Sequence, residues 1–368
     1  MQSLNIAIIG SRGIPNNYGG FEQMAQWLAV GLVQKGHDVT VYNSHDHPYK
    51  EKEWNGVKLV HCYDAEKAMG TAGQFIYDLN CIRDARKKNY DAWLFLGYTS
   101  SSVWGRLFSK KAVIISNMDG LEWKRTKYSA PVRSFLKYAE KLAVKYSDDL
   151  IADSPAIQTY LEQKYKVKSR YIPYGAETGG SADESVLKEF GLTRSNYYML
   201  MARMEPENNI DMILDGFCRS NSTNKFIVVG NCNNAFGRKM LEKYGKDARV
   251  HFVGAVFGAN KTRTLRAFCK LYFHGHSVGG TNPSLLEAMA DGCLIAAHNN
   301  EFNKAVLQDD AYYFSSADDV TTIITDPGAD QAAMVKNNLQ KIRDQYNWPK
   351  VITEYEEFIV DCCNKKGK

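Results

Sequence analysis

Phe273-His274-Gly275-His276-Ser277-Val278-Gly279-Gly280-Thr281-Asn282-Pro283-Ser284-Leu285-Leu286-Glu287-Ala288-Met289-Ala290-Asp291-Gly292 is the stretch whose reading decides the fold. The apolar run Leu271-Tyr272-Phe273 leads into it and reads as a buried strand. Gly279 and Gly280 open a loop. Asn282, Pro283 and Ser284 read as a helix start, because Pro is tolerated in a first turn and Asn or Ser suits the cap. Leu285, Leu286 and Met289 give that helix an apolar face, and Gly292 ends it. The free N–H groups at such a start converge on one spot and suit a phosphate. Glu287, one turn in, can accept hydrogen bonds from two neighbouring hydroxyls, such as those of a ribose. The corner alone is equally compatible with a plain αβ turn and a solvated Glu287.

Outward from this corner, strand-like and helix-like segments alternate, which predicts parallel sheets with helical crossovers. Strands are expected at Asn5–Ile9, Val39–Tyr42, Lys58–Cys62, Ala92–Leu96, Val113–Ser116, Leu150–Ala152 and Arg170–Ile172. Gly175–Ser181 is the best linker. The alternation restarts at Tyr198–Ala202, Phe226–Val229, Val250–Val253, Leu271–Phe273 and Leu294–Ala297. The expected organisation is α/β: two Rossmann-like domains facing a central cleft, 1–176 and 177–347, then a helix over 348–368. Ligands of such sheets sit at the carboxyl ends of strands.

With 368 residues there is ample length for two cores. Composition is that of an ordinary globular chain. Ile6-Ala7-Ile8-Ile9 reaches Gly10 at once and reads as a first strand, so no secretory leader is expected. No apolar run approaches the ~18 residues of a membrane span. Eight cysteines are scattered without a Cys-x-x-Cys, which indicates neither zinc nor a redox pair and suits a reducing cytoplasm. Of the net charge of +5, the basic excess lies in the first half. Within 106–146, Arg106, Lys110, Lys111, Lys124, Arg125, Lys127, Arg133, Lys137, Lys141 and Lys145 face only Asp119, Glu122 and Glu140. An anionic membrane, a pyrophosphate-bearing substrate, a nucleic acid or plain solvent could each face such a patch.

Three further segments carry candidate chemistry. The first loop, Gly10 to Glu22, fails the dinucleotide fingerprint: Arg12 and Pro15 stand where glycines belong, and Asn43 replaces the acid after the second strand. An oxidoreductase is therefore disfavoured, although Gly19-Gly20 can still approach a phosphate. Asn117-Met118-Asp119-Gly120-Leu121-Glu122-Trp123-Lys124-Arg125 follows a strand end and combines carboxylates, cations and an aromatic able to stack on a sugar. It could also be a surface turn closed by Asp119. Ala202-Arg203-Met204-Glu205-Pro206-Glu207-Asn208 follows the first strand of the second half. His274 and His276 suggest a metal, but no third ligand is spaced to join them. No Asp-x-Asp occurs.

Glu287-Ala288-Met289-Ala290, the first loop, the Asp119 segment and Arg203 resemble the retaining GT-B glycosyltransferases of family 4. The bacterial branch that includes polysaccharide rhamnosyltransferases is the most similar. The resemblance implies transfer of L-rhamnose from dTDP-L-rhamnose to a polyprenyl-diphosphate-linked saccharide, without metal or cofactor. It also implies a final helix crossing back to the first domain. Asp119, with Glu122 as second choice, would take the acceptor proton, and Arg203 would stabilise the leaving diphosphate. Gly19, Gly20, Arg203, Asn208, Gly254, Gly279, Gly280, Thr281, Asn282, Ser284 and Glu287 would bind the donor. Tyr18, Asp119, Trp123, Lys124 and Arg125 would meet the acceptor. The chain would work in the cytoplasm, peripherally on the cytoplasmic face of an anionic inner membrane, with no nucleic acid partner.

Two positions depart from the family pattern. The first of its two glutamates falls at Gly279, and its lysine at Asn208. Without the first carboxylate, the donor sugar is expected to rest on loop N–H groups and apolar contacts, which suits a 6-deoxy sugar. A glutamate reintroduced at 279 is expected to crowd the loop. A UDP-hexose or UDP-N-acetylhexosamine donor remains an alternative, as does a non-catalytic nucleotide-sugar binder.

Overall fold

The computed structural model describes residues 3–17, 19–118, 120–125, 127–326, 328 and 330–367. The chain divides into two compact units. The first comprises Met1–Trp123, Ala130–Tyr174 and Trp348–Lys368; the second comprises Lys124–Ser129 and Gly175–Asn347. Of the expected 1–176 domain, Lys124–Ser129 and the last two residues, Gly175 and Ala176, group with the second unit instead.

In the first unit, β1 (Asn5–Ile9), β2 (Asp38–Ser44), β3 (Glu53–Trp54), β4 (Val57–Cys62), β5 (Ala92–Leu96), β6 (Val113–Asn117), β7 (Asp149–Ala152) and β8 (Arg170–Tyr171) form one sheet. Its order is β3-β4-β2-β1-β5-β6-β7-β8, parallel except for the β3–β4 pair. β5 is apolar throughout, and β1 is so after the exposed Asn5, as strands covered on both faces must be. The second sheet holds β9 (Tyr197–Met201), β10 (Lys225–Val229), β11 (Val250–Gly254), β12 (Leu271–His274), β13 (Ile295–His298) and β14 (Tyr312–Phe314). Its order is β11-β10-β9-β12-β13-β14, all parallel. This is the doubly wound 3-2-1-4-5-6 arrangement. Its core collects Tyr198, Phe217, Phe226, Phe273 and Phe314, whose rings meet edge-on or tilted.

The last helix, Trp348–Lys366, is built into the first unit. It packs on the helix Gly20–Gln34, and Gly31 lets the two approach: a Cβ there would lie 2.5 Å from Ile352 Cδ1. Trp27 and Trp348 stack at 5.6 Å. Glu356, almost buried, receives Lys35 at 2.7 Å and His37 at 3.2 Å. Tyr355 accepts from Asn117 Nδ2 through its hydroxyl oxygen.

Asp78, on the helix Gly73–Ala85, is 3% exposed and accepts the Ser100 hydroxyl at 2.6 Å. Burial first, and then the charge of Asp64, raise its pKa to about 7 against the pull of Ser100. The folded chain thus holds this proton up to near neutrality, whereas the unfolded chain releases it near pH 4. Stability contributed by Asp78 therefore falls as pH rises from about 4 to 7. Asp78→Asn, which still accepts from Ser100, is expected to raise stability at pH 8 by on the order of 4 kcal/mol and to leave it nearly unchanged at pH 4. Denaturant titrations at the two pH values measure this; equal stability of variant and wild type at pH 8 would refute it.

Candidate active site

In the second sheet β9 sits between β10 and β12, so the crossovers leave on opposite sides. The crevice beyond the carboxyl ends at such a switch point is where these sheets bind ligands. β9 delivers Arg203 there and β12 delivers Gly275 and His276. The two loops are stitched together. Asn209 Nδ2 donates to the Gly275 carbonyl at 2.7 Å. The Ser277 N–H and hydroxyl donate to the Glu207 carbonyl at 3.0 and 2.8 Å. A Cβ on Gly275 would fall 2.0 Å from the Asn208 carbonyl oxygen, so only glycine permits this approach.

Asn208 is buried, and its amide donates to the Arg203 carbonyl at 2.7 Å. The residue at the family's lysine position thus braces the backbone that carries Arg203. Arg203 itself is exposed. On β12, residues two apart share a face, so Tyr272 and His274 stack at 6.4 Å; His276, two residues past the strand end, stacks on His274 at 4.4 Å with 15° between planes. Burial, then the charges of Arg203 and Arg125, lower the His276 pKa to about 3. Among the described residues no group of three or more His, Cys, Asp and Glu could hold a metal.

The helix Pro283–Ala290 begins as its sequence indicates. Asn282 Oδ1 accepts the Ser284 N–H at 3.0 Å and the Ser284 hydroxyl at 2.8 Å, with Pro283 in the first turn. Thr281 is buried and Gly280 partly so. Gly279 has φ +134° and a Cβ there would meet nothing within 4 Å. The first atom of a side chain at 279 thus meets no neighbour, and the positive φ is what opposes it there. Gly254, ending β11, is likewise at positive φ beside open space. Glu287 is not simply solvated: Arg266 Nη1 reaches its Oε2 at 3.0 Å. Arg266 is 5% exposed and also binds Asp291 Oδ2 at 2.7 Å, while Arg263 Nε reaches Asp291 Oδ1 at 3.2 Å. Sequence reading missed this arginine, which arrives from the neighbouring helix Ala259–Ala267.

In the first unit Gly10, at φ +99°, closes β1 against the Leu96 carbonyl, 2.5 Å from where its Cβ would be. Asn43 braces the loop by accepting the Ile14 N–H and donating to the Ile14 carbonyl. This is why an amide, not the acid of a dinucleotide site, stands there. Gly19 precedes and Gly20 begins the following helix, and buried Glu22 accepts the Arg12 N–H at 2.7 Å. Tyr18 and Asp119 lie outside the described residues. Glu122 and Trp123 fall in one 3₁₀ turn. The Trp123 indole N–H donates to Glu140 at 3.1 Å, and Lys137 Nζ stands 4.6 Å from its ring centre. Lys124 and Arg125, grouped with the second unit, pair with Glu301 at 3.6 Å and Glu207 at 3.3 Å.

Residues 184–355 match the family described as glycosyl transferases group 1, and residues 3–177 match a domain of unknown function, DUF1972. Sucrose-phosphate synthase from Thermosynechococcus elongatus has a similar structure: TM-score 0.81 at 15% identity, over 97% of this chain and 98% of that one. Anabaena HepE in complex with UDP and glucose gives a TM-score of 0.75 at 16% identity, over 97% and 100%. The fold is therefore GT-B, and the similarity to group 1 glycosyl transferases lies in residues 184–355. At the level of individual proteins, a 59-residue stretch is 41% identical to an uncharacterized 42.6 kDa protein in the cps region of Klebsiella pneumoniae. That stretch covers 16% of this chain and 16% of the Klebsiella protein.

Proposed function

We propose that the protein is a retaining, nucleotide-sugar-dependent glycosyltransferase that moves L-rhamnose from dTDP-L-rhamnose to a lipid-diphosphate-linked sugar in surface polysaccharide assembly. The observation that carries the donor half is the convergence, at one switch point, of Arg203 with the glycine loop and Asn282-capped helix start. Arg203 and the helix N–H groups are suited to the charge that grows on a leaving diphosphate. Glu287, oriented by Arg266, is suited to the ribose hydroxyls. Anabaena HepE, in complex with UDP-glucose, lends support to a nucleotide-sugar donor, and the Klebsiella relative's cps region suits a polysaccharide product.

The same HepE complex favours a second reading, a UDP-hexose donor. Side-by-side donor hydrolysis with dTDP-rhamnose, UDP-glucose and UDP-galactose separates the two. Preference for a UDP-hexose replaces the first reading by the second, and binding without turnover replaces both by a non-catalytic binder. Glu287→Ala removes a charge-assisted hydrogen bond worth roughly 1.5–3 kcal/mol. The expected loss is about ten- to a hundredfold in kcat/KM for the donor. A folded variant with wild-type kinetics would take Glu287 out of the site.

The acceptor half rests on the Glu122–Arg125 segment and Asp119. Lys137, Lys141 and Lys145 are exposed on the helix Ala130–Tyr146, at the spacing of four that puts them on one face. They are suited to an anionic membrane surface bearing the lipid-linked acceptor. Among the described residues no helix is long and apolar enough to cross a membrane.

A further inference from the structure

We infer that His276 and Glu207 read the hydroxyl groups of the donor's sugar ring, supplying the polar recognition that Gly279 omits; this rests on the nucleotide-sugar reading above. Both side chains present buried polar atoms with no protein partner. Glu207 is 4% exposed; its Oε1 is paired with Arg125, but its Oε2 has no hydrogen bond. His276 Nδ1 is in the same condition. Unpaired buried polar atoms are rare and call for an explanation.

The carbonyls of both residues are committed, which leaves the side chains as the acceptors that face a ligand. The His276 carbonyl accepts from Asn300 Nδ2 at 2.9 Å and Asn303 Nδ2 at 3.0 Å. The Glu207 carbonyl is held by Ser277. These bonds fix the two residues beside one another, and stacking on His274 fixes the plane of the His276 ring. The arrangement is rigid before any ligand arrives.

Its chemistry selects a hydroxyl over a phosphate. A carboxylate oxygen only accepts, and it repels an anion. A neutral imidazole donates from one nitrogen and accepts at the other. A sugar hydroxyl both donates and accepts, so it satisfies both partners. A phosphate oxygen only accepts, and it has Arg203 close by for that purpose. Arg203 and Arg125 beside His276 favour its neutral ring. The recognised hydroxyls are those that hexoses and 6-deoxyhexoses share, so the pair replaces the apolar cradle expected from Gly279 without choosing between them.

The test uses the full chain with UDP, UDP-glucose, dTDP and dTDP-rhamnose as probes. Calorimetry gives affinities, and donor hydrolysis gives kcat/KM. Glu207→Gln and His276→Phe are expected to bind UDP and dTDP within twofold of wild type. Each is expected to lose at least tenfold in kcat/KM for whichever nucleotide sugar wild type hydrolyses. His276→Asn, which keeps a donor and an acceptor, is expected to retain at least threefold more activity than His276→Phe. It carries the test if the phenylalanine variant does not fold. Hydrolysis within twofold of wild type, or an equal loss of affinity for nucleoside diphosphate and nucleotide sugar, would overturn the inference alone. Wild type that binds none of the four probes would overturn the proposed function as well.

Discussion

Arg266→Met is expected to destabilise the protein by roughly 3–5 kcal/mol, the cost of removing one partner from a buried ion pair. Arg266 is 5% exposed and joins Glu287 to Asp291, whose side chain is 4% exposed. Burial raises the Asp291 pKa, and Arg266 and Arg263 oppose that rise. Without Arg266 the carboxylate keeps Arg263, at 3.2 Å, as its cation among the described residues. Its folded pKa then climbs further above its unfolded value. A raised acid costs stability as pH rises, because the folded state retains a proton that the unfolded state has released. The deficit of the variant should therefore be larger at pH 8 than at pH 5. Denaturant unfolding at both values measures it. A loss under ~1 kcal/mol, or a pH-independent one, would show the network to be incidental. Donor kinetics should fall as well, since Glu287 loses one of the groups that orient it.

Arg203→Ala is expected to lower kcat by about 10²- to 10³-fold, or ~2.7–4 kcal/mol in the barrier, the range found on removing one preorganised charge-stabilising donor. Stability should hardly change, because the side chain is exposed. The Arg203 carbonyl is held by Asn208 Nδ2 and by the Glu205 N–H, so the loop should survive the truncation. Arg203→Lys keeps the charge but loses the planar fork, and should fall between wild type and alanine. Turnover of the alanine variant within fivefold of wild type would move the diphosphate elsewhere.

The sequence made the strands legible because parallel strands covered on both faces must be apolar runs; β5 was read to the residue. The two-residue β3 and the edge strand β14 escaped notice, since Glu53–Trp54 and Tyr312–Phe314 are too short to show a pattern. Asn282, Pro283 and Ser284 announced the helix start because capping is a local event. Partners across elements were invisible. Nothing near Glu287 in sequence points to Arg266, and nothing in Asn208 tells that its amide turns to the Arg203 carbonyl. The His274–His276 stack reaches past the end of β12, so no strand period announced it, and sequence reading weighed that pair only as metal ligands.

The discontinuity of the first unit has a consequence for synthesis. Its last helix, Trp348–Lys366, follows the whole of Gly175–Asn347 in the chain. On a ribosome moving at ~5–20 residues per second, the nascent sheet would wait on the order of ten to a few tens of seconds for that helix. Until then the groove at Gly31 and the faces of Trp27 and Asn117 stay uncovered. The second unit lies in one uninterrupted run but for Lys124–Ser129 and can close as it emerges. The part of the chain made first would thus be the last to finish folding, and a chaperone that shields apolar helix faces would find its target on that half.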